Sequence, residues 1–338
     1  MRFDNVSISS VAAVDATHRL ASAEIEQRLA PTMERLGIPP GMLEGLTGIA
    51  ARRVFDPDFM PSEAATLAAR DAIAQANVDP NRLGILVNTS VCRDYVEPST
   101  ACLVHGNLGL PSHCLNFDLS NACLGFLSGM EVVSNMIERG QIDYGIVVDG
   151  ENSRFIIDTT IDRLNRAETT EQEFRDAFAT FTLGSGGVAM VLCRRDLAPD
   201  APQFKGGVGV AATQHSRLCH GQVDRMYTET KALLVAGIEL AKRTLAEAKQ
   251  VLGWEVGAFD ELVLHQVSKV HTEKLAHALE LDPAKIHAIF PEHGNVGPAA
   301  VPMVLAHVTK SGRVTKGDRV ALMGIGSGLN CAMHELVW

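Results

Sequence analysis

The sequence lacks a secretory leader pattern. Its first twenty residues, MRFDNVSISSVAAVDATHRL, hold neither an apolar h-region nor a small-residue cleavage site. No apolar run reaches membrane-spanning length, because charges or turn residues interrupt each one. No Cys-x-x-Cys pair occurs among the 7 cysteines, and an odd number of thiols does not suit a disulfide framework. These absences predict a reduced, cytoplasmic protein with no membrane span. Positive charge is also scarce. The formal net charge is -10, with no block of like charge. Nucleic acid binds basic patches that displace its counterions, so it is excluded as a partner.

What the chain does have is apolar bulk, 46% of 338 residues, enough for a large core in one or two domains. Strand-like runs alternate with helical patterns. PSEAATLAARDAIAQAN (61–77) opens on Pro-Ser and predicts a helix. RLGILVNTS (82–90), HCLNFDLS (113–120) and DYGIVVDGE (143–151) read as strands, with a helical pattern from Cys123 to Gly140. Later come a long helix in TETKALLVAGIELAKRTLAEAKQVLG, a strand in FDELVLHQ, and DRVALMGIGSG, a strand running into glycines. Such alternation predicts an α/β protein with buried, mixed or parallel sheets.

The two halves look duplicated. GILVNTS matches ELVLHQVS, DYGIVVDGE matches DRVALMGIG, and SNACLGFLSGM lies opposite HGNVGPAAVPM, all at nearly one offset of about half the chain. The boundary is expected near CRRDLAPDAPQFKGG (193–207), giving halves 1–198 and 199–338. Residues 163–181, polar and then amphipathic, are expected to be an excursion over the first half.

Cys123 follows a strand and a small-residue turn and begins a helical pattern. There, unpaired N–H groups and the helix dipole would favour its thiolate. A buried core thiol is the commoner fate of a cysteine. His265 closes a buried strand, where open α/β sheets display functional groups, but it could equally be a hydrogen-bonded core histidine. Asn295 sits in EHGNVGPAAVP as a turn residue, a cap, or an amide donor. Duplication would bring these three face to face as nucleophile, acid/base or donor, and oxyanion donor. In MGIGSGLNC (323–331), the N–H of Ser327 could join that of Cys123 in holding an oxyanion. This segment matches neither G-x-S-x-G nor G-x-G-x-x-G. HQVSKVH spaces its histidines by six rather than four and shows no third ligand, so no metal is expected. Arg52 and Arg53 fit either a phosphate contact or a surface ion pair.

TGIAARRV (47–54), SNACLGF, LVLHQVS, EHGNVGPAAVP and GIGSGL occur in the order found in the ketoacyl synthase III branch of the thiolase superfamily, which the whole chain resembles. NTSVCRDYVEPSTACLVHGNLG (88–109), IDYGIVVDGE, LCHGQVDRM, KQVLGW and GIGSGLNC are similar to the OleA-type head-to-head acyl-CoA condensing enzymes of olefin biosynthesis. The resemblance implies a five-layered αβαβα thiolase fold built from two duplicated halves, and a homodimer. It implies an acyl-carrying Cys123, with His265 and Asn295 supporting the thioester oxyanion and enolate. It also implies that Glu97, on a loop crossing the dimer interface, enters the neighbouring active site. Joining two acyl-CoAs without decarboxylation requires removal of an α-proton, and a water-screened carboxylate suits that task. By itself, Glu97 reads as a solvated loop charge before a proline.

The expected function is a non-decarboxylative Claisen condensation of two long-chain acyl-CoAs to a 2-alkyl-3-ketoacid. No cofactor is expected beyond coenzyme A as part of substrate and product, and downstream olefin-pathway enzymes are expected partners. Two rival readings are a decarboxylating 3-oxoacyl-acyl carrier protein synthase III with a malonyl donor, and a non-catalytic acyl-binding or scaffold subunit.

Overall fold

The computed structural model describes all residues from Met1 to Trp338. The first half runs β1 (Val6–Asp15), β2 (His18–Ala21), α1 (Ser22–Leu36), α2 (Met42–Thr47), β3 (Ala51–Val54), α3 (Pro61–Ala76) and β4 (Leu83–Asn88). It continues through α4 (Thr100–Leu108), β5 (Leu115–Asp118), α5 (Gly125–Glu138), β6 (Tyr144–Glu151), α6 (Arg154–Leu164), α7 (Glu171–Ala177) and β7 (Gly186–Arg194). The second half comprises β8 (Gln203–Ala211), β9 (Cys219–Gly221), β10 (Met226–Thr228), α8 (Thr230–Leu252), β11 (Glu261–Leu264) and α9 (Lys269–Ala278). It ends with α10 (Phe290–His293), α11 (Ala300–Lys310), β12 (Arg319–Gly326) and β13 (Asn330–Val337).

The strand order is β11-β12-β13-β8-β1-β7-β6-β4-β5. It is nearly a palindrome about the β8–β1 junction. On one side β11 runs parallel to β12, and antiparallel β13 leads to β8. On the other, β4 runs parallel to β6, and antiparallel β7 leads to β1. Within the sheet the two halves join at β1 and β8, where Ser7 pairs antiparallel with Gln203 and Arg2 bridges Gly206. The edge strand β5 has no counterpart beside β11.

The layers follow from which apolar faces meet. Phe126, Met130 and Val133 of α5 and Val301, Met303 and Val304 of α11 share one core with strand residues of both halves, including Val87, Val188, Val263 and Leu322. These two helices form the central layer. Alanines of α3, with Val104 of α4, cover the opposite face of the first-half strands. Leu240 and Leu245 of α8, with Leu275 of α9, cover that of the second. The result is five layers in the order αβαβα. A fourth cluster joins α1, α6 and α7 around Leu29, Ile161 and Phe174, so the segment at 163–181 lies outside the layers but is more than an excursion, since Leu164, Phe174 and Phe181 are buried in a core of their own. No helix is long and apolar enough to cross a membrane.

Close backbone approach fixes the centre. A Cβ added at Gly125 would lie 2.9 Å from the Thr89 carbonyl oxygen, and one at Gly129 2.9 Å from Val147 Cγ1. Both glycines let α5 settle onto the ends of β4 and β6.

Candidate active site

Cys123 does not lie inside α5. It occupies a 3-10 turn, Ala122–Leu124, immediately before the helix. Ala122 has φ of 46°, a left-handed conformation uncommon for a side chain larger than glycine, and this turns the chain sharply into the nucleophile. Gly326 allows β12 to press on the turn, since a Cβ there would lie 3.0 Å from Asn121 O and 3.1 Å from Leu124 N. The same turn packs against the 3-10 turn Gly297–Ala299 that follows Asn295.

The activated thiolate expected at a helix start is not what the surroundings produce. Burial, then Cys219, then Glu151 push the Cys123 thiol up to about 12, and its own backbone N–H only partly opposes them. Loss of solvation and a nearby carboxylate outweigh the helix terminus. These surroundings favour the neutral thiol over the thiolate.

His265 follows β11, and its N–H donates to Met323 O at 2.8 Å, which fixes it beside β12. Burial, assisted by His271, lowers its pKa to about 3, and burial lowers that of His271 to about 4. Both rings are neutral at ordinary pH. The Nδ1 atoms of both are buried without a partner in the chain. Gln266 then secures this strand end. Its Nε2 donates to His287 O at 2.5 Å, and its Oε1 accepts the N–H groups of Ile289 and Phe290 at 2.9 and 3.2 Å.

The Asn295 turn is held by backbone on backbone. Asn295 N donates to Thr182 O at 2.7 Å and Gly184 N to Asn295 O at 2.8 Å. Gly294 has φ of 69°, and a Cβ there would lie 2.6 Å from Thr182 O. The side-chain Oδ1 of Asn295 accepts the Gly297 N–H at 3.0 Å, leaving Nδ2 to donate elsewhere. Ser327 opens the tight turn between β12 and β13, next to the Gly326 contact with the Cys123 turn. Cys123, His265, Asn295 and Ser327 thus stand on packed elements at one end of the strands.

Glu97 stands apart. It is exposed on a loop whose neighbours Val91, Tyr95 and Val96 are 54%, 52% and 95% exposed. That loop is nonetheless pinned. Asp94 accepts from Ser62 N at 2.9 Å and from Ser62 Oγ at 2.5 Å. Asp118 accepts from Thr100 N and Ala101 N at 3.1 and 2.8 Å where the loop enters α4. At its root, Glu151 accepts from Val91 N at 2.6 Å and Cys92 N at 3.1 Å.

Three groups escaped sequence reasoning. Asp149 and Glu151 lie in a strand whose apolar run advertises only burial. Burial and mutual repulsion raise Asp149 well above the carboxylate range, and burial pushes Glu151 up to about 7. The third is Asp15, whose carboxylate takes His293 Nε2 at 3.1 Å and lies 3.8 Å from His307 Nε2. These two imidazoles hold its carboxyl far below the usual range. Arg52 corrects an expectation. It is fully buried, donating to Leu20 O, Ser22 Oγ and Phe181 O, so it faces no CoA phosphate and no surface ion pair. A surface concavity of about 940 Å³ that includes Tyr227, Glu229 and Val235 is lined by none of the candidate site residues.

A layered αβαβα core, in which the cysteine-bearing turn packs against the turn after Asn295 and against β12, the strand that also holds His265, is the architecture of a thiolase-superfamily condensing enzyme. Family models agree: residues 117–202 match 3-oxoacyl-[acyl-carrier-protein] synthase III and residues 250–338 its C-terminal region. An acyl-CoA:acyl-CoA alkyltransferase of Xanthomonas campestris is 52% identical over all of both chains, and one of Shewanella oneidensis is 38% identical, again over all of both chains. The crystal structure of cerulenin-bound X. campestris OleA superposes with a TM-score of 0.99, covering 100% of this chain and 98% of that one. The chain belongs to this acyl-CoA:acyl-CoA alkyltransferase, or OleA, family.

Proposed function

We propose that the enzyme joins two long-chain acyl-CoAs head to head without decarboxylation. The Cys123 thiol attacks the first thioester, forming an acyl-cysteine, and CoA leaves with the proton the thiol gives up. Glu97 of a second subunit removes an α-proton from the second acyl-CoA. Neutral His265 and Asn295 Nδ2 donate hydrogen bonds to the developing enolate oxygen. The carbanion then attacks the acyl-cysteine carbonyl, whose oxyanion is held by the N–H groups of Cys123 and Ser327. The new C–C bond forms, the C–S bond breaks, and Glu97 returns its proton to the Cys123 sulfur. Water hydrolyses the β-ketoacyl-CoA to a 2-alkyl-3-ketoacid and CoA. No cofactor takes part.

The observation that carries this reading is the Glu97 loop. A carboxylate offered on a pinned loop, among exposed apolar side chains, is shaped to be covered by a partner subunit and not by its own. A malonyl-decarboxylating enzyme needs no base there. The seven cysteines, all free thiols, fit a reducing cytoplasmic setting. Mixing Glu97→Ala and Cys123→Ala subunits tests the placement, because each mixed dimer retains one site with both groups. Condensation should return on mixing; confirmed exchange without recovery would refute a base acting across the dimer.

A further inference from the structure

Glu151 is only 4% exposed, at the C-terminal end of β6, in a neighbourhood that ought to reject a carboxylate. The reaction described above gives it no task. Its oxygens are nevertheless both occupied: Oε1 takes the Val91 N–H and Oε2 the Cys92 N–H. Those two amides are the first of the segment that leads to Glu97. Glu151 also borders the Asn295 turn, because a Cβ added at Gly297 would lie 3.8 Å from its Cδ. It is close enough to Cys123 for its charge to raise that thiol. Next to it, Asp149 Oδ2 accepts from Thr89 Oγ1 at 2.6 Å, and Ser90 Oγ links Asn88 Oδ1 to the Gly150 N–H. The ends of β4 and β6 are thereby stitched together directly beneath the loop.

We propose that Glu151 is a positioning residue, a buried anchor that fixes the root of the Glu97 loop against the turns carrying Cys123 and Asn295. This rests on the reading of Glu97 as the base. Among the loop's fastenings, Asp94 and Asp118 hold its middle and its far end, while Glu151 takes both root amides and ties them to the end of β6, where Cys92 Sγ also reaches Asn152 O at 3.5 Å. A base set a fraction of an ångström from its proton loses much of its rate, so the anchor acts on condensation. Its bearing on acylation of Cys123 is limited to the charge that raises that thiol, so withdrawing Glu151 does not slow that step.

The two half-reactions separate the possibilities. Glu151→Gln keeps the shape but opposes an N–H with an amide N–H. Glu151→Asp keeps the charge but withdraws it from the loop. Acyl-Cys123 is followed by mass spectrometry and condensed product by chromatography, with Glu97→Ala alongside. In both Glu151 variants we expect acylation at no less than about half the wild-type rate and condensation lowered about tenfold or more. Condensation at the wild-type rate, or an equal fall in both steps, overturns the anchor. Rescue by aspartate alone overturns it too, since that would mark a purely electrostatic role. If Glu97→Ala condenses normally, it is the base assignment that fails. Should neither variant fold, hydrogen exchange in the wild-type protein decides: the Val91 and Cys92 amides should be protected as strongly as β6, and fast exchange there contradicts the proposal.

Discussion

Gln266 reaches across from the residue after His265 and accepts the Ile289 N–H at 2.9 Å, tying the histidine's strand end to the helix that leads into Asn295. The His265 and Asn295 segments are thus held in register by one buried amide. Replacing it with alanine would leave the Ile289 and Phe290 N–H groups and the His287 carbonyl unpaired. Gln266→Ala should lower unfolding free energy by about 2–4 kcal/mol, at about 1–3 kcal/mol per buried unsatisfied group with partial relaxation. Condensation should fall along with it. Urea denaturation gives the first quantity, and an unchanged midpoint would count against the tie.

Cys123 should behave as a protected thiol. With its pKa pushed up to about 12, its thiolate fraction is minute at neutral pH. Alkylation by a small electrophile, read at the Cys123 peptide, should rise about tenfold per pH unit up to about pH 9 with no plateau. A plateau near neutral pH would restore the helix-start thiolate.

The two neutral histidines predict an acid-sensitive fold. Their folded pKa values, about 3 for His265 and about 4 for His271, lie below the ordinary 6.5. Below pH 6.5 the unfolded chain therefore takes up protons that the folded chain refuses. This stability is whole above 6.5 and is lost as pH falls toward the folded values. His271→Asn should reduce the slope of unfolding free energy against pH by about 1.4 kcal/mol per unit across that window. Superimposable slopes for variant and wild type would refute neutral burial of this ring.

Arg52 should matter to folding and not to CoA. Burial lowers its pKa to about 10, yet three acceptors hold its guanidinium. Arg52→Met should cost about 3–5 kcal/mol of stability, because the polar groups around it lose their donor. The Km for acyl-CoA of the folded fraction should stay unchanged, whereas a rise without destabilisation would revive a phosphate contact.

Local signals carried much of this architecture into the sequence. Helix α3 begins at Pro61, as the Pro-Ser opening predicted, and the strands with continuous apolar runs are the buried ones. The nearly palindromic strand order is the duplication visible in GILVNTS and ELVLHQVS. What stayed hidden depends on three-dimensional neighbours. A helix pattern cannot say that Cys123 lies one turn before the helix, or that Cys219, far along the chain, helps raise its pKa. Asp149 and Glu151 lie in DYGIVVDGE, whose apolar run signals a strand and not two buried carboxyls. Asp15 in β1 is far along the chain from His293 and His307 on α10 and α11, so no local spacing rule could join them. Arg52 sits in TGIAARRV beside Arg53, and only the packed α1, β2 and β3 region reveals its burial.

The most direct test supplies carboxyl-labelled long-chain acyl-CoA as the sole substrate and follows the label by mass spectrometry. The account predicts a condensed ketoacid, or the ketone derived from it, built from two acyl chains. The ketoacid should retain both labelled carbons, and free CoA should accumulate with it. Labelled fatty acid with no coupled product, or coupling only after a malonyl thioester is added, would contradict it.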